Sequence, residues 1–369
     1  MMTREQALQR LRDVLAQVSP QSPDRFRRIA ARIRDARDSV ISRYRPMFSP
    51  ESIVRLTASD FWGFLLFQNN QHWDSLHRQG GRITEDMGKL REALTLLVDE
   101  GRPLKKRLDQ LRPRRGDPMA PGLGRAVITA ILQIVYPDKY GVWNTTTEAG
   151  MKRLGLWPDI PRAASFGEKY EKVNAVLHEV AGELGVNLWT LDMLWWHEDP
   201  HVPKGAGAEQ AEDKGAADRA GQQDAGEPSA VFGLEQHLHE FLVDNWERVE
   251  AFKQWGLLEE DGEIVGSRYP TAEVGEIDLL AKHRRENKWL VVELKRDQTS
   301  DATVGQILRY MAWVRRNFAK DNGKVSGLII CHEVDTKLQY ALDGLGDIAC
   351  MTYEVSFALR PAPKMPEQK

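Results

Sequence analysis

HVPKGAGAEQAEDKGAADRAGQQDAGEPSA, residues 201–230, divides the chain before any element is assigned. Eight Ala and five Gly fill thirteen of its thirty places, no aromatic occurs, and Val202 is its one sizeable apolar residue. So little apolar surface does not offset the entropy of ordering the backbone. The stretch predicts a flexible tether. It leaves one domain over 1–200 and another over 231–369, each long enough to bury its own core.

The two sides differ in rhythm. Residues 4–17, 23–45, 84–113, 124–135, 145–154 and 166–185 show helical spacing or helix-favouring composition, with Pro and Gly clusters between several of them. This mostly α-helical domain ends in LWTLDMLWWHEDP, where Trp189, Leu191, Leu194 and Trp195 are expected to close the core. Beyond the tether, a helix at 232–244 leads to strand-like GEIVGSRY, GEIDLLAKH and KWLVVELKR. A helix at 303–319, the strand SGLIICHEV, a short helix near 336–342 and IACMTYEVSFAL follow. The order α-β-β-β-α-β with one addition predicts an α/β domain on one mixed sheet.

Composition narrows the class. With 41% hydrophobic and 28% charged residues and no apolar run of spanning length, no membrane is expected. The first residues lack the apolar core of a secretory signal, and Cys331 and Cys350 are too few for a disulfide framework, so reduced thiols in the cytoplasm are expected. The net charge of −3 hides two basic stretches. Residues 1–46 carry eleven Arg against five acids, and residues 101–116 carry seven Lys or Arg against Asp109. Local basic surface of this kind can hold phosphates.

VVELKRD, residues 291–297, sets Glu293 and Lys295 on one side of a hydrophobic strand, because strand side chains alternate. On the preceding strand Asp278 faces away from Ile277 and Leu279. A hairpin turning between Arg285 and Glu286 brings Asp278 opposite Glu293, with Cβ atoms about 5 Å apart. Two carboxylates so close repel, and a hard divalent cation with oxygen ligands removes the conflict. On the next helix Val304, Ile307, Leu308, Met311, Val314 and Phe318 should face the sheet, with Gln306 and Tyr310 stacked beside them. On the helix ahead of the strands, Leu234, Leu238, Phe241 and Leu242 define a buried face, which turns Glu235 inward and Glu240 outward.

Together these residues resemble the PD-(D/E)XK nuclease superfamily, and within it the nuclease domain of NucS/EndoMS-type endonucleases, over roughly residues 231–359. The resemblance implies a metal-dependent DNA endonuclease leaving 5′-phosphate and 3′-hydroxyl ends. It implies Mg²⁺, with Mn²⁺ as substitute, held by Asp278, Glu293, the main-chain carbonyl of Leu294 and, more variably, Glu235. Lys295 would position or activate the attacking water, and Gln306 and Tyr310 are the pair typical of the RecB-like branch. Arg296 and Arg309 are expected to contact nucleic acid.

In the first domain, APGLGRAVITA places Gly122, Gly124 and Arg125 ahead of an apolar helix, where main-chain N–H groups could meet a DNA phosphate. Residues 120–157 are similar to the helix-hairpin-helix region of base-excision glycosylases, except that Asn144 stands where those enzymes place their catalytic Asp. That substitution argues against glycosylase chemistry. NucS-type proteins carry a different, β-rich first domain, so their biological role is not implied for this chain. A helical reader tethered to a nuclease fits phage defence or restriction as well as DNA repair, acting as a homo-oligomer or beside a partner protein. The alternative is a non-catalytic nucleic-acid-binding or adaptor protein on a nuclease-like scaffold.

Overall fold

A computed structural model describes residues 2–197, 238–271, 274–295, 301–320 and 322–354. The expected tether over 201–230 lies outside the described residues. The chain divides into two compact units, Met1–Asp224 with Glu259–Ile264, and Ala225–Leu258 with Val265–Lys369. The short segment 259–264, assigned to the second domain from sequence, thus groups with the first unit.

Side-chain caps set several helix starts in the first unit. Capping boxes at Thr3, Thr57 and Ser165 begin Arg4–Gln17, Ala58–Leu65 and Phe166–Leu184, and Gly185 closes the last of these with a φ of 66°. The helix expected over 23–45 is two, Arg25–Asp35 and Arg37–Tyr44. The one expected over 84–113 is Met87–Val98 and Leu104–Leu111, parted by Gly101 and by Pro103 at the second helix's N-cap. At the centre lies Arg125–Val135, buried at every residue but its last. Trp189, Leu191, Leu194 and Trp195 are all buried, on the helix Leu188–His197. Among the described residues no helix is long and apolar enough to cross a membrane.

In the second unit, residues 238–245 are helical. Among the described residues the strands are β1 (Trp255–Leu257), β2 (Glu259–Glu260), β3 (Glu263–Ile264), β4 (Ser267–Thr271), β5 (Gly275–His283), β6 (Lys288–Leu294), β7 (Lys324–Cys331) and β8 (Ile348–Thr352), of which β2 and β3 fall in the first unit. The sheet runs β1-β5-β6-β7-β8, with β4 also on β5; β6-β7 and β7-β8 are parallel and the other pairs antiparallel. It is the mixed sheet that the sequence predicts. β1 and β4 pair with successive parts of β5, so they are two halves of one edge strand, and β2–β3 is an excursion between them.

Helix Asp301–Asn317 packs on β6 and β7, burying Val304, Ile307, Met311 and Val314. Leu308, expected on that face, is 41% exposed. Phe241 is likewise exposed; the buried face of helix 238–245 runs instead through His239, Leu242 and Val243 to Trp246 just beyond it. In both cases the apolar residue sits at the margin of the stripe, where helical spacing alone does not decide burial.

Candidate functional site

β6 is central, and its residues from Trp289 to Leu294 are all buried, including Glu293. Its pairing with β5 is Leu279↔Val292, Leu280↔Val291, Ala281↔Leu290 and Lys282↔Trp289, the register predicted from the hairpin. The ladder ends there. Two residues beyond Val292, the Leu294 N–H donates to Asp278 Oδ2 at 2.7 Å. Asp278 is therefore fixed against the backbone of β6 at the point where β5 and β6 part. Lys295 Nζ lies 2.7 Å from Glu293 Oε1, so acid and base share a side as alternation requires. The Lys295 amide donates to Ile330 O at 2.8 Å, which extends the parallel pairing with β7 past the end of β6.

Asp278, Glu293, Leu294 and Lys295 are thus brought together at one end of two strands. Gln306 Nε2 donates to Tyr310 Oη at 3.1 Å, and Tyr310 is buried. That hydroxyl adjoins Gly275, where a Cβ would stand 3.1 Å from it, three residues ahead of Asp278. Arg309 is exposed on the same helix. Glu235 and Arg296 lie outside the described residues.

One residue escaped sequence reasoning. His239 is buried, with Nε2 3.2 Å from the Asp278 carbonyl and 3.4 Å from Ser267 Oγ. A carbonyl only accepts, so that ring nitrogen carries the proton. The signal was present in its spacing, four residues after Glu235 and three before Leu242.

Among the described residues no group of three or more His, Cys, Asp or Glu side chains gathers as a metal cage. The donors at hand are two carboxylates and a main-chain carbonyl. Such a set suits Mg²⁺, which takes one or two carboxylates and completes its shell with water and phosphate.

In the first unit, Gly122 has a φ of 80°, and a Cβ at Gly124 would lie 2.2 Å from the Gly262 carbonyl. The Arg125 amide donates to Asp261 O at 3.0 Å, and its guanidinium, 2% exposed as a residue, pairs with Glu148 at 2.8 Å and Glu263 at 2.5 Å. The amide and the guanidinium of Arg125, expected to meet phosphate, are occupied by the chain itself. Asn144 caps the helix Thr145–Arg153 by accepting the Thr147 amide at 2.8 Å, a task for which an amide oxygen suffices.

Residues 247–354 match the family model of the endonuclease NucS C-terminal domain. Endonuclease NucS of Methanocaldococcus jannaschii is 32% identical over 87 residues, 23% of this chain and 31% of that protein. The chain therefore spans less than a third of the length of that curated relative. Two solved structures share 17% identity with it. A repair endonuclease from Pyrococcus abyssi aligns over 36% of this chain and 50% of its own, with a TM-score of 0.26. EndoMS in a complex with dsDNA aligns over 38% and 51%, with a TM-score of 0.27. By sequence, then, residues 247–354 are similar to the NucS C-terminal endonuclease domain.

Proposed function

We propose that the chain is a Mg²⁺-dependent DNA endonuclease acting in DNA repair or phage defence. One observation carries this: the Asp278 carboxylate on the Leu294 amide and the Lys295 ammonium on Glu293, each at 2.7 Å, converge at the open end of β5 and β6. The family match over 247–354 supports the same chemistry.

Each residue has a task that its surroundings explain. Asp278 is oriented through its side chain by Leu294 N–H and through its carbonyl by His239, so its second carboxylate oxygen has a fixed direction. The Glu293 side chain is 2% exposed, a setting in which charge–charge interactions are weakly screened. Lys295, with its side chain 29% exposed, spans from that buried acid toward solvent and offers a compact positive charge to an entering phosphodiester. A divalent cation bound by Asp278, Glu293 and the Leu294 carbonyl supplies Lewis-acid stabilisation of charge gathering on the phosphate oxygens.

The test is a cleavage panel of single-stranded, double-stranded, mismatched, branched and modified DNA, with RNA in parallel, in Mg²⁺ or Mn²⁺. DNA cleavage leaving 5′-phosphates, silent in EDTA and in Glu293→Ala, is expected. Intact substrates throughout would leave a nucleic-acid-binding or adaptor protein, and cleavage confined to RNA would change the substrate.

A further inference from the structure

β2 and β3 turn on Asp261 and Gly262, both with positive φ, 49° and 78°, the backbone that a two-residue hairpin demands. Four of the six residues from Glu259 to Ile264 are acidic. Within the first unit three of them each meet a cation. Glu259 pairs with Arg82 at 2.7 Å, Asp261 with Lys169 at 3.0 Å and Glu263 with Arg125 at 2.5 Å. Glu263 also accepts from the amide and the hydroxyl of Thr145, at 2.9 and 3.0 Å. Arg125 and Thr145 are the first residues of their helices, so the hairpin's oxygens lie on two helix starts as well as three cations.

A row of carboxylates received by Arg, Lys and helix-start amides uses the donor set by which proteins hold successive phosphates of a nucleic-acid strand. We propose that the hairpin is a built-in competitor: it fills a phosphodiester-binding surface of the first unit made by Arg82, Arg125, Thr145 and Lys169, and DNA displaces it to bind there. The three acids stand in for phosphates, and Gly124 admits the hairpin backbone because any side chain there would collide with the Gly262 carbonyl. The proposal rests on the chain acting on DNA.

The experiment uses the full chain with Asp278→Asn added to prevent cleavage, and reads binding of a labelled duplex by fluorescence anisotropy across a salt series. The triple variant Glu259→Gln, Asp261→Asn, Glu263→Gln keeps shape and removes charge. It should bind about tenfold more tightly at low salt, with log K against log salt steeper by about two to three, as freed cations reach phosphates. Unchanged or weaker binding overturns the proposal and marks the hairpin as a structural clasp. Should the triple variant lose its cooperative melt, Asp261→Asn alone decides; it touches the partly exposed Lys169 pair and should tighten binding about twofold, with no change counting against the proposal. Cleavage by the native chain with unaltered variant binding sinks the competitor alone, whereas absence of both cleavage and binding sinks the endonuclease with it.

Discussion

Lys295 and Arg125 are both cations within hydrogen-bond reach of a carboxylate, at 2.7 and 2.5 Å, yet their settings differ. The Lys295 side chain is 29% exposed and pairs with Glu293 at the end of a sheet. The Arg125 side chain is 3% exposed and is held between Glu148 and Glu263 on the first turn of a fully packed helix. An incoming phosphate can reach the first cation without disturbing the core, and the second only after Glu263 leaves. On the readings proposed above, the same kind of charge pair stands open to a substrate in one unit and is closed over by the hairpin in the other. What separates the two is access, since a buried charge left unpaired is costly whereas a half-exposed one is not.

The largest effect should come from the exposed member. Lys295→Gln can still donate a hydrogen bond to Glu293 but carries no charge. Cleavage should fall about 10²- to 10³-fold, the scale seen when one donor to a developing negative charge is removed. Mn²⁺ binding, read by calorimetry, should hold. If rate and metal affinity fall together, Lys295 acts by holding Glu293 in place and not on the phosphate, and the contrast collapses.

Arg125→Met makes the opposite test. It leaves the Glu148 and Glu263 carboxylates facing each other in a site that keeps out water. The loss should be about 3 kcal/mol, the usual result of breaking a buried pair from one side. Urea unfolding followed by circular dichroism checks it, and a midpoint matching the native chain would show that Arg125 is as dispensable to the fold as a surface cation.

The two regions were also unequally legible in the sequence. For β5 and β6 the alternation of apolar residues and the short turn fixed the register, because a slip of one residue would turn every buried side chain outward. Glu293 and Lys295 followed from it. At Gly122–Arg125 local pattern marked a helix start correctly but said nothing of what lies against it. Its occupant comes from 138 residues further on, as Arg125 and Glu263 show, and no local spacing encodes such a contact. The hairpin itself was readable: Asp261–Gly262 is a strong turn signal, and its second strand falls within the longer strand-like GEIVGSRY. Gly266 shows why that strand breaks, since a Cβ there would lie 2.2 Å from the Leu280 carbonyl. The split of 84–113 was legible in Gly101 and Pro103, whereas the exposure of Leu308 and Phe241 depended on how far the neighbouring surface extends.

The smallest expected effect concerns Glu100, which asks whether a strongly perturbed acid in the helical unit is structural too. Burial alone would raise its pKa, but hydrogen bonds from Lys139, Tyr140 and Arg107 outweigh it and hold the carboxyl at about 2, from an ordinary 4.5. Its partner Tyr140 is pushed up to about 12 by burial and by the bond to Glu100. A depressed folded-state pKa means that the unfolded chain binds the proton more readily. The stabilisation is therefore complete above 4.5 and is lost as the pH falls toward about 2. Glu100→Gln removes the titrating group, so its melting temperature should lie below that of the native chain at neutral pH and decline less steeply through this acid window. Scanning fluorimetry across the window reads both slopes. Equal slopes would mean that Glu100 is not held by its three partners, and the helical unit would then offer a titratable acid as free to serve a ligand as the pair at the end of β6.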